Sequence, residues 1–585
     1  MKNRACCWIL VLLGAGIILS GILSVVLISS LASLGNQKAT IEPGSYLMVD
    51  LSGATAEYRT APSIEIWQRR TTTLADYLES LKIAAVDPRI SGVVIRPTGS
   101  AGFAGLRELR EAVLTFKESG KPVYAYMEVG TDRDYYLSSV ADTIIVSPAT
   151  SGGLVMLGLG VSSTYLARTF DKVGIKFHVL HVGEYKGAYE NLQLDKMSAP
   201  LRESLVALLD DVFGTYVRET AESRTQIERA FFEKTLLEPQ ELFITGSRAV
   251  ELGLADLALD WGELRERIKV GDDFNGISPD RLIKTRTILK TGNEIAVLFA
   301  QGVISYGEEA DDPTEIGEGI HSRDVIAQLR DLREDPDVKA VVLRVNSPGG
   351  SALASELILE EVKRLKSEKP VVVSMGNVAA SGGYYISCAG NRIIAQPNTI
   401  TGSIGVVSVL PNAEGLFDKI GARVETVEKG KWAQFFRIDK EFTPEQEAVM
   451  MGFMNNVYQG FVANVADGRG LPIDSVEMAA SGRVWTGAQA LKLRLVDELG
   501  GLDLAIDRAA ELADLERSSA AIRHYPRERD LISYLLQMMR TTAQLVTGHL
   551  FFPENELDLQ HAAEYLNRFL KNRDYVQMIL PIELP

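Results

Sequence analysis

The chain has 585 residues, room for about three to five domains, and its composition of 46% hydrophobic and 24% charged residues is that of a globular protein. A net charge of −16 argues against a nucleic-acid partner, which needs a basic face to neutralise phosphates. Three cysteines, Cys6, Cys7 and Cys388, cannot build a disulfide framework and leave the redox compartment open.

Chain order begins with a membrane signal. No charged residue occurs between Arg4 and Lys38, and Trp8 to Leu34 is a 27-residue run, almost all apolar. About 20 apolar residues cross a bilayer, whereas a cleavable signal has a core of about 7–15. The run is therefore expected to be an uncleaved signal anchor, within residues 1–37. Ser30-Leu31-Ala32 leaves a cleaved signal as the alternative. Lys2 and Arg4 precede the run, which puts the N-terminus in the cytoplasm and the body from about residue 38 outside it.

The body repeats itself with a period of about 248 residues. Asp87-Pro88-Arg89-Ile90 through Arg96 matches Asp335-Pro336-Asp337-Val338 through Arg344. Lys121-Pro122-Val123 matches Lys369-Pro370-Val371, Phe170 to Gly174 matches Phe417 to Gly421, and Leu254-Ala255-Asp256 matches Leu495-Val496-Asp497. Each copy alternates short apolar strands with amphipathic helices, the pattern of βαβ units and a parallel sheet. The expected division is a first α/β copy at 45–262, a linker at 263–292, a second α/β copy at 293–515 and an extension at 516–585. The linker reading comes from Val270–Gly292, which is rich in Gly, Asp, Pro and Lys.

Two glycine-rich turns in the second copy carry chemistry. Asn346-Ser347-Pro348-Gly349-Gly350-Ser351 follows a strand, and its glycines let backbone N–H groups approach a ligand oxygen. Ala380-Ser381-Gly382-Gly383-Tyr384-Tyr385 places a serine among small residues where a strand turns into a helix, a geometry suited to acyl transfer. A serine that merely caps the helix fits the same turn. None of the six histidines lies in either turn. A lysine whose charge is disfavoured by burial is the other available base.

These two turns, with Thr401-Gly402-Ser403-Ile404-Gly405 and Gly183-Glu184-Tyr185-Lys186-Gly187-Ala188, resemble the signal peptide peptidase A family, in its long, duplicated form. The resemblance covers about residues 45–510. It implies an α/β fold that is a tandem duplication of a crotonase- or caseinolytic-protease-like βαβ unit, preceded by one N-terminal transmembrane helix. It also implies roles: Ser381 as nucleophile, Lys186 as general base, Ser403 as the serine that hydrogen-bonds the base, and the Gly349 and Gly382 amides as oxyanion donors. Gly187 departs from the pattern, which expects a small polar residue there. By the same resemblance the substrates are cleaved signal peptides and other extended apolar peptides, and the chains form a homotetramer in the bacterial inner membrane with a periplasmic body. No cofactor or metal is expected, since no His-Glu-x-x-His and no paired cysteines occur in the body.

The repeat adds an independent argument. Ser381 falls opposite about Asp132 of the first copy, and Lys186 opposite about Ala433 of the second. Each copy holds half a site, so the working site is expected between copies. A tetramer would then have four working and four inert junctions. Two other readings share these residues: a crotonase-like acyl-CoA enzyme on the same fold, and a non-catalytic membrane scaffold for other proteases.

Overall fold

Strands buried on both faces read as nearly unbroken apolar runs, and Ile295–Ala300, Ala340–Val345 and Val371–Val373 are of that kind, all fully or almost fully buried. The computed structural model describes residues 41–51, 56–59, 72–99, 101–285, 292–308, 319–527 and 577–579. The anchor expected at Trp8–Leu34 lies outside them. No helix among the described residues is long and apolar enough to cross a membrane.

The first unit runs β1 (Ser45–Asp50), α1 (Leu74–Val86), β2 (Ile90–Arg96), α2 (Phe103–Lys117), β3 (Val123–Met127), α3 (Asp132–Ser138), β4 (Thr143–Val146), β5 (Lys176–Val182), α4 (Ala199–Ser223), β6 (Leu257–Ala258) and β7 (Gly276–Ile277). Its sheet has the order β7-β1-β2-β3-β4-β6, parallel throughout. The second unit runs β8 (Glu294–Gln301), α5 (Ser322–Glu334), β9 (Val338–Ser347), β10 (Gly349–Ser351), α6 (Ala352–Glu368), β11 (Val371–Ala380), α7 (Gly382–Ser387), β12 (Arg392–Ala395), β13 (Ile400–Gly402), β14 (Val406–Asn412), α8 (Pro444–Arg469), β15 (Val484–Thr486), α9 (Leu502–Leu512), β16 (Ala521–Tyr525) and β17 (Gln577–Ile579). Its main path is β15-β13-β11-β9-β8-β16, with β12 beside β11.

Matching hydrogen bonds show that the sequence repeat is a structural one. Tyr135 donates to the Leu254 carbonyl at 2.8 Å, and Tyr384 to the Leu495 carbonyl at 2.9 Å. Lys121 binds the Ala84 and Asp87 carbonyls, as Lys369 binds those of Leu332 and Asp335. Asp256 accepts the Ile144 amide and Asp497 the Ile393 amide, each at 2.7 Å.

Two expectations about boundaries change. Within the segment read as a linker, 263–292, Gly276 and Ile277 pair with Tyr46 and Leu47 and form the edge of the first sheet. A helix over Trp261–Ile268, capped by Asp260, precedes them. A two-residue strand is too short to show a period of two, so loop-like composition hides it. The extension after 515 also adds structure: Ala521–Tyr525 pairs in parallel with Glu294–Leu298 at the edge of the second sheet.

Two features, the β5–β14 ladder and an ion pair, join the halves, while β17 ties two strands of the second unit together. Strand β5 of the first unit pairs antiparallel with β14 of the second along its full length, from Val182↔Val406 to Lys176↔Asn412. Strand β17 lies between β10 and β14, with Gly349 opposite Ile579 and Val407 opposite Gln577. Arg344 of β9, buried beneath α2, donates to Glu57 at 2.8 Å and to Glu108 at 2.7 Å, both carboxylates belonging to the first unit.

Candidate active site

Strand β11 ends at Ala380, and α7 starts at Gly382. Ser381 between them has φ 54° and ψ −116°, a conformation that L-residues rarely adopt. It is held from both sides: its amide donates to the Gly402 carbonyl at 2.8 Å, and its carbonyl accepts from Tyr385 at 2.9 Å. The surroundings thus fix a backbone that costs on the order of 1–3 kcal/mol, as turns that present a reacting group do.

Lys186 follows β5. It reaches Ser381 because the β5–β14 ladder brings the lysine loop to the start of β14, where Ser403 precedes the strand. Its Nζ lies 2.7 Å from Ser381 Oγ, 3.0 Å from Ser403 Oγ and 3.0 Å from the Ser403 carbonyl oxygen. All three residues are out of water: Lys186 is 1% exposed, Ser381 and Ser403 0%. Burial pushes the Lys186 ammonium well below the usual lysine range. A neutral amine has two hydrogens and one lone pair. With both hydrogens on the oxygens of Ser403, the lone pair faces the Ser381 hydroxyl. Ser403, itself at φ 50° and tied through its amide to the Arg483 carbonyl at 2.7 Å, orients the amine.

Gly382 is the first residue of α7, so its amide is among the four at the helix start that have no partner within the helix. Gly349, on β10, has φ 103°, and its amide donates to Ser347 Oγ at 3.1 Å. Both glycines flank the Ser381 turn, but the Gly349 amide already has a hydroxyl acceptor that an incoming oxygen would have to share or displace.

The two histidines of β5 and the repeat counterparts of Ser381 and Lys186 make other contacts. His178 faces Glu447 at 3.5 Å, and His181 Nδ1 sits 3.0 Å from the Gly183 carbonyl. Asp132, opposite Ser381 in the repeat, accepts the Leu157 amide at 2.8 Å and lies 3.4 Å from the Tyr216 hydroxyl. It thus fills the degenerate half-site with a carboxylate. Ala433 sits in an exposed loop.

One group at the site carries no motif. Gly482, at φ 78°, packs against the lysine backbone so closely that a Cβ there would meet Lys186 Cβ at 2.5 Å. Its amide donates to the Ile404 carbonyl, and the Ser481 carbonyl accepts from the Tyr185 amide, each at 2.8 Å. The Ser481-Gly482 turn therefore binds the lysine loop to the Ser403 loop. The dipeptide reads as a turn in sequence, but nothing local ties it to a residue about 300 positions away.

Known proteins share this arrangement of the chain. The profile of peptidase family S49 matches twice, over residues 115–274 and 363–516, and that of Clp protease matches residues 291–401. The chain is 34% identical over 459 residues to the chloroplastic serine protease SPPA of Arabidopsis thaliana, covering 76% of this chain and 66% of that one. It is 34% identical over 472 residues to Protease 4 of Salmonella typhi, covering 76% and 73% of the two chains. With Protease 4 of Haemophilus influenzae it shares 31% identity over 581 residues, 92% of each chain. A family profile repeated on both units, and relatives aligned over three quarters or more of the chain, establish that the chain belongs to peptidase family S49, the signal peptide peptidase A family, and is a serine endopeptidase.

Proposed function

We propose that the chain is a membrane-anchored endopeptidase that degrades released signal peptides and other extended apolar segments through a Ser381–Lys186 dyad. The observation that carries the dyad is the 2.7 Å approach of Lys186 Nζ to Ser381 Oγ in a buried site where the partners of the amine are uncharged. Neutral Lys186 takes the Ser381 proton as Oγ attacks the peptide carbonyl carbon. The carbonyl oxygen becomes an oxyanion and accepts from the Gly382 and Gly349 amides, the latter exchanging its bond to Ser347 Oγ. The Lys186 ammonium then protonates the leaving nitrogen. Water deprotonated by the same amine hydrolyses the acyl-enzyme and frees Ser381.

The apolar run Trp8–Leu34 supports the anchor, with the body on the periplasmic side of a bacterial inner membrane, and the family resemblance supports the substrate class. Assembly as a homotetramer has a structural argument. Shifting the β5–β14 pairing by the repeat lands on residues 423–429 and about 158–164. Both segments are described and neither is a strand in the single chain; the first is exposed throughout. Paired between chains, they would close a ring and leave no unmatched half.

The test is a fluorophosphonate label mapped by peptide sequencing, together with turnover of a synthetic signal peptide. Labelling at Ser381, lost in Ser381→Ala, and turnover lost in Lys186→Met are expected. Labelling elsewhere, or turnover by Lys186→Met at the wild-type rate, would overturn the dyad.

A further inference from the structure

The loop Gln396–Thr399, between β12 and β13, is held on every side. The Gln396 carboxamide is bonded to Arg107 and Glu111 of α2. Thr399 Oγ1 donates to the Gly376 carbonyl at 2.7 Å, and the Pro397 and Thr399 carbonyls accept from the Ala488 and Gly487 amides. In the middle of this loop Asn398 is only 4% exposed, yet neither Oδ1 nor Nδ2 has a hydrogen-bond partner among the described residues. Unpaired buried polar atoms destabilise a fold, and a loop fixed this firmly cannot shift to avoid that cost.

Asn398 is one of the residues that line a cavity of about 610 Å³, within the range of about 300–1,000 Å³ usual for ligand sites. Both halves of the chain build its walls. Phe103 and Leu159 come from around the degenerate half-site of the first unit, Leu205 and Leu208 from α4, and Val378 and Ile400 from β11 and β13. Asn377 and Val378 are the two half-buried positions of an otherwise buried β11. Val378 precedes Ser381 by three residues, about 10 Å along the strand. The neighbouring amides are engaged: Asn377 Oδ1 accepts from Gly105 at 2.9 Å, and Asn346 Oδ1 from Val378 at 3.0 Å.

A carboxamide presents an acceptor and donors in one plane. An anion would satisfy only Nδ2 and would sit in the cavity that Asp132 also lines. A cation would satisfy only Oδ1. A peptide group, with its C=O and N–H, satisfies both, and apolar walls on either side suit the flanking side chains. We propose that this cavity is a substrate subsite in which the Asn398 carboxamide pairs with one peptide group of an extended apolar substrate. The inference rests on the peptidase reading of Ser381. It gives the first unit a further role, because the degenerate half-site of the unit that supplies the lysine also forms part of the wall that reads the substrate.

The experiment compares kcat/KM for a short fluorogenic apolar peptide and for one extended by several residues on each side, using the full chain in detergent. Asn398→Leu is expected to lower the long-to-short ratio about tenfold, the loss of one or two neutral hydrogen bonds. An ester scan of the long peptide in the wild type, which removes one N–H at a time, needs no folded variant. One ester position should lose about as much in the wild type and nothing further in Asn398→Leu. A flat ester scan, or an Asn398→Leu ratio equal to that of the wild type, overturns the subsite while leaving the dyad standing. Absence of Ser381 labelling in the wild type overturns the dyad and the subsite with it.

Discussion

Replacing Lys186 with methionine keeps the length and volume of the side chain and removes its proton chemistry. In the fold the amine is 1% exposed, and its three partners are neutral oxygens of Ser381 and Ser403. Desolvation therefore lowers its pKa with no carboxylate to offset it. In the unfolded chain lysine titrates near about 10.4. Between the lowered folded value and about 10.4 the unfolded state binds one more proton than the fold does. Stability then rises with pH by about 1.4 kcal/mol per unit. The penalty is complete below the folded pKa and gone above the unfolded one. Methionine has no such proton, so the unfolding free energy of wild type minus that of Lys186→Met should climb by about 1.4 kcal/mol per pH unit above the lowered folded pKa and level off above about 10.4. Urea unfolding of both full-length proteins at stepped pH, followed by tryptophan fluorescence, measures the difference. Peptidase activity should rise at lower pH, where the amine loses its proton in the fold, stay level while the stability difference climbs, and be absent from the variant. Parallel stability curves would show that Lys186 keeps its proton in the fold, and the base assignment would fail.

Other outcomes follow from the same geometry. Ser381→Ala should remove turnover of an apolar peptide without changing the circular dichroism spectrum; residual wild-type turnover would exclude Ser381 as nucleophile. Ser403→Ala deletes one of the two contacts that orient the amine and keeps the carbonyl, so kcat should fall about tenfold rather than vanish. Wild-type kcat in that variant would remove the supporting role. Gly482→Ala places a Cβ 2.5 Å from Lys186 Cβ at a positive φ, and is expected to depress kcat while fluorophosphonate still reaches Ser381 more slowly; an unchanged kcat would mean the turn yields. Arg344→Met leaves Glu57 and Glu108 buried without their cation and should cost about 3–5 kcal/mol in urea unfolding. A loss under about 1 kcal/mol would show that the two carboxylates take up protons instead. Active-site titration should find one reactive serine per chain, and one per two chains would contradict a working junction within each chain.

Much of this was legible before any coordinates, because duplication leaves long, ordered matches that chance does not produce. The loss of the serine in one copy and of the lysine in the other pointed to a site between copies, and the structure brings Lys186 and Ser381 together. What sequence did not disclose were contacts set by the tertiary path alone. Arg96 and Arg344 are matched in the repeat, yet the first is half-exposed beside Asp50 and Glu128, while the second is buried between two carboxylates of the other unit. The Gly482 clamp and the two-residue strand Gly276–Ile277 have no local pattern to betray them. Asn398 lies in a Gln-Pro-Asn-Thr stretch that reads as an ordinary turn, and only its two unpaired atoms mark it out.

The lysine and the serine are separated by 195 residues of chain. During synthesis the half that carries Lys186 is made first, and at about 5–20 residues per second roughly 10–40 s pass before Ser381 is translated. The clamp at Gly482 arrives later still. On the proposed dyad, a growing chain has no peptidase chemistry until its second unit is made. Translation that stops early yields only a silent half. A dyad split in this way across the duplication would place a timer on activation, one that runs out only when the second unit has folded against the first.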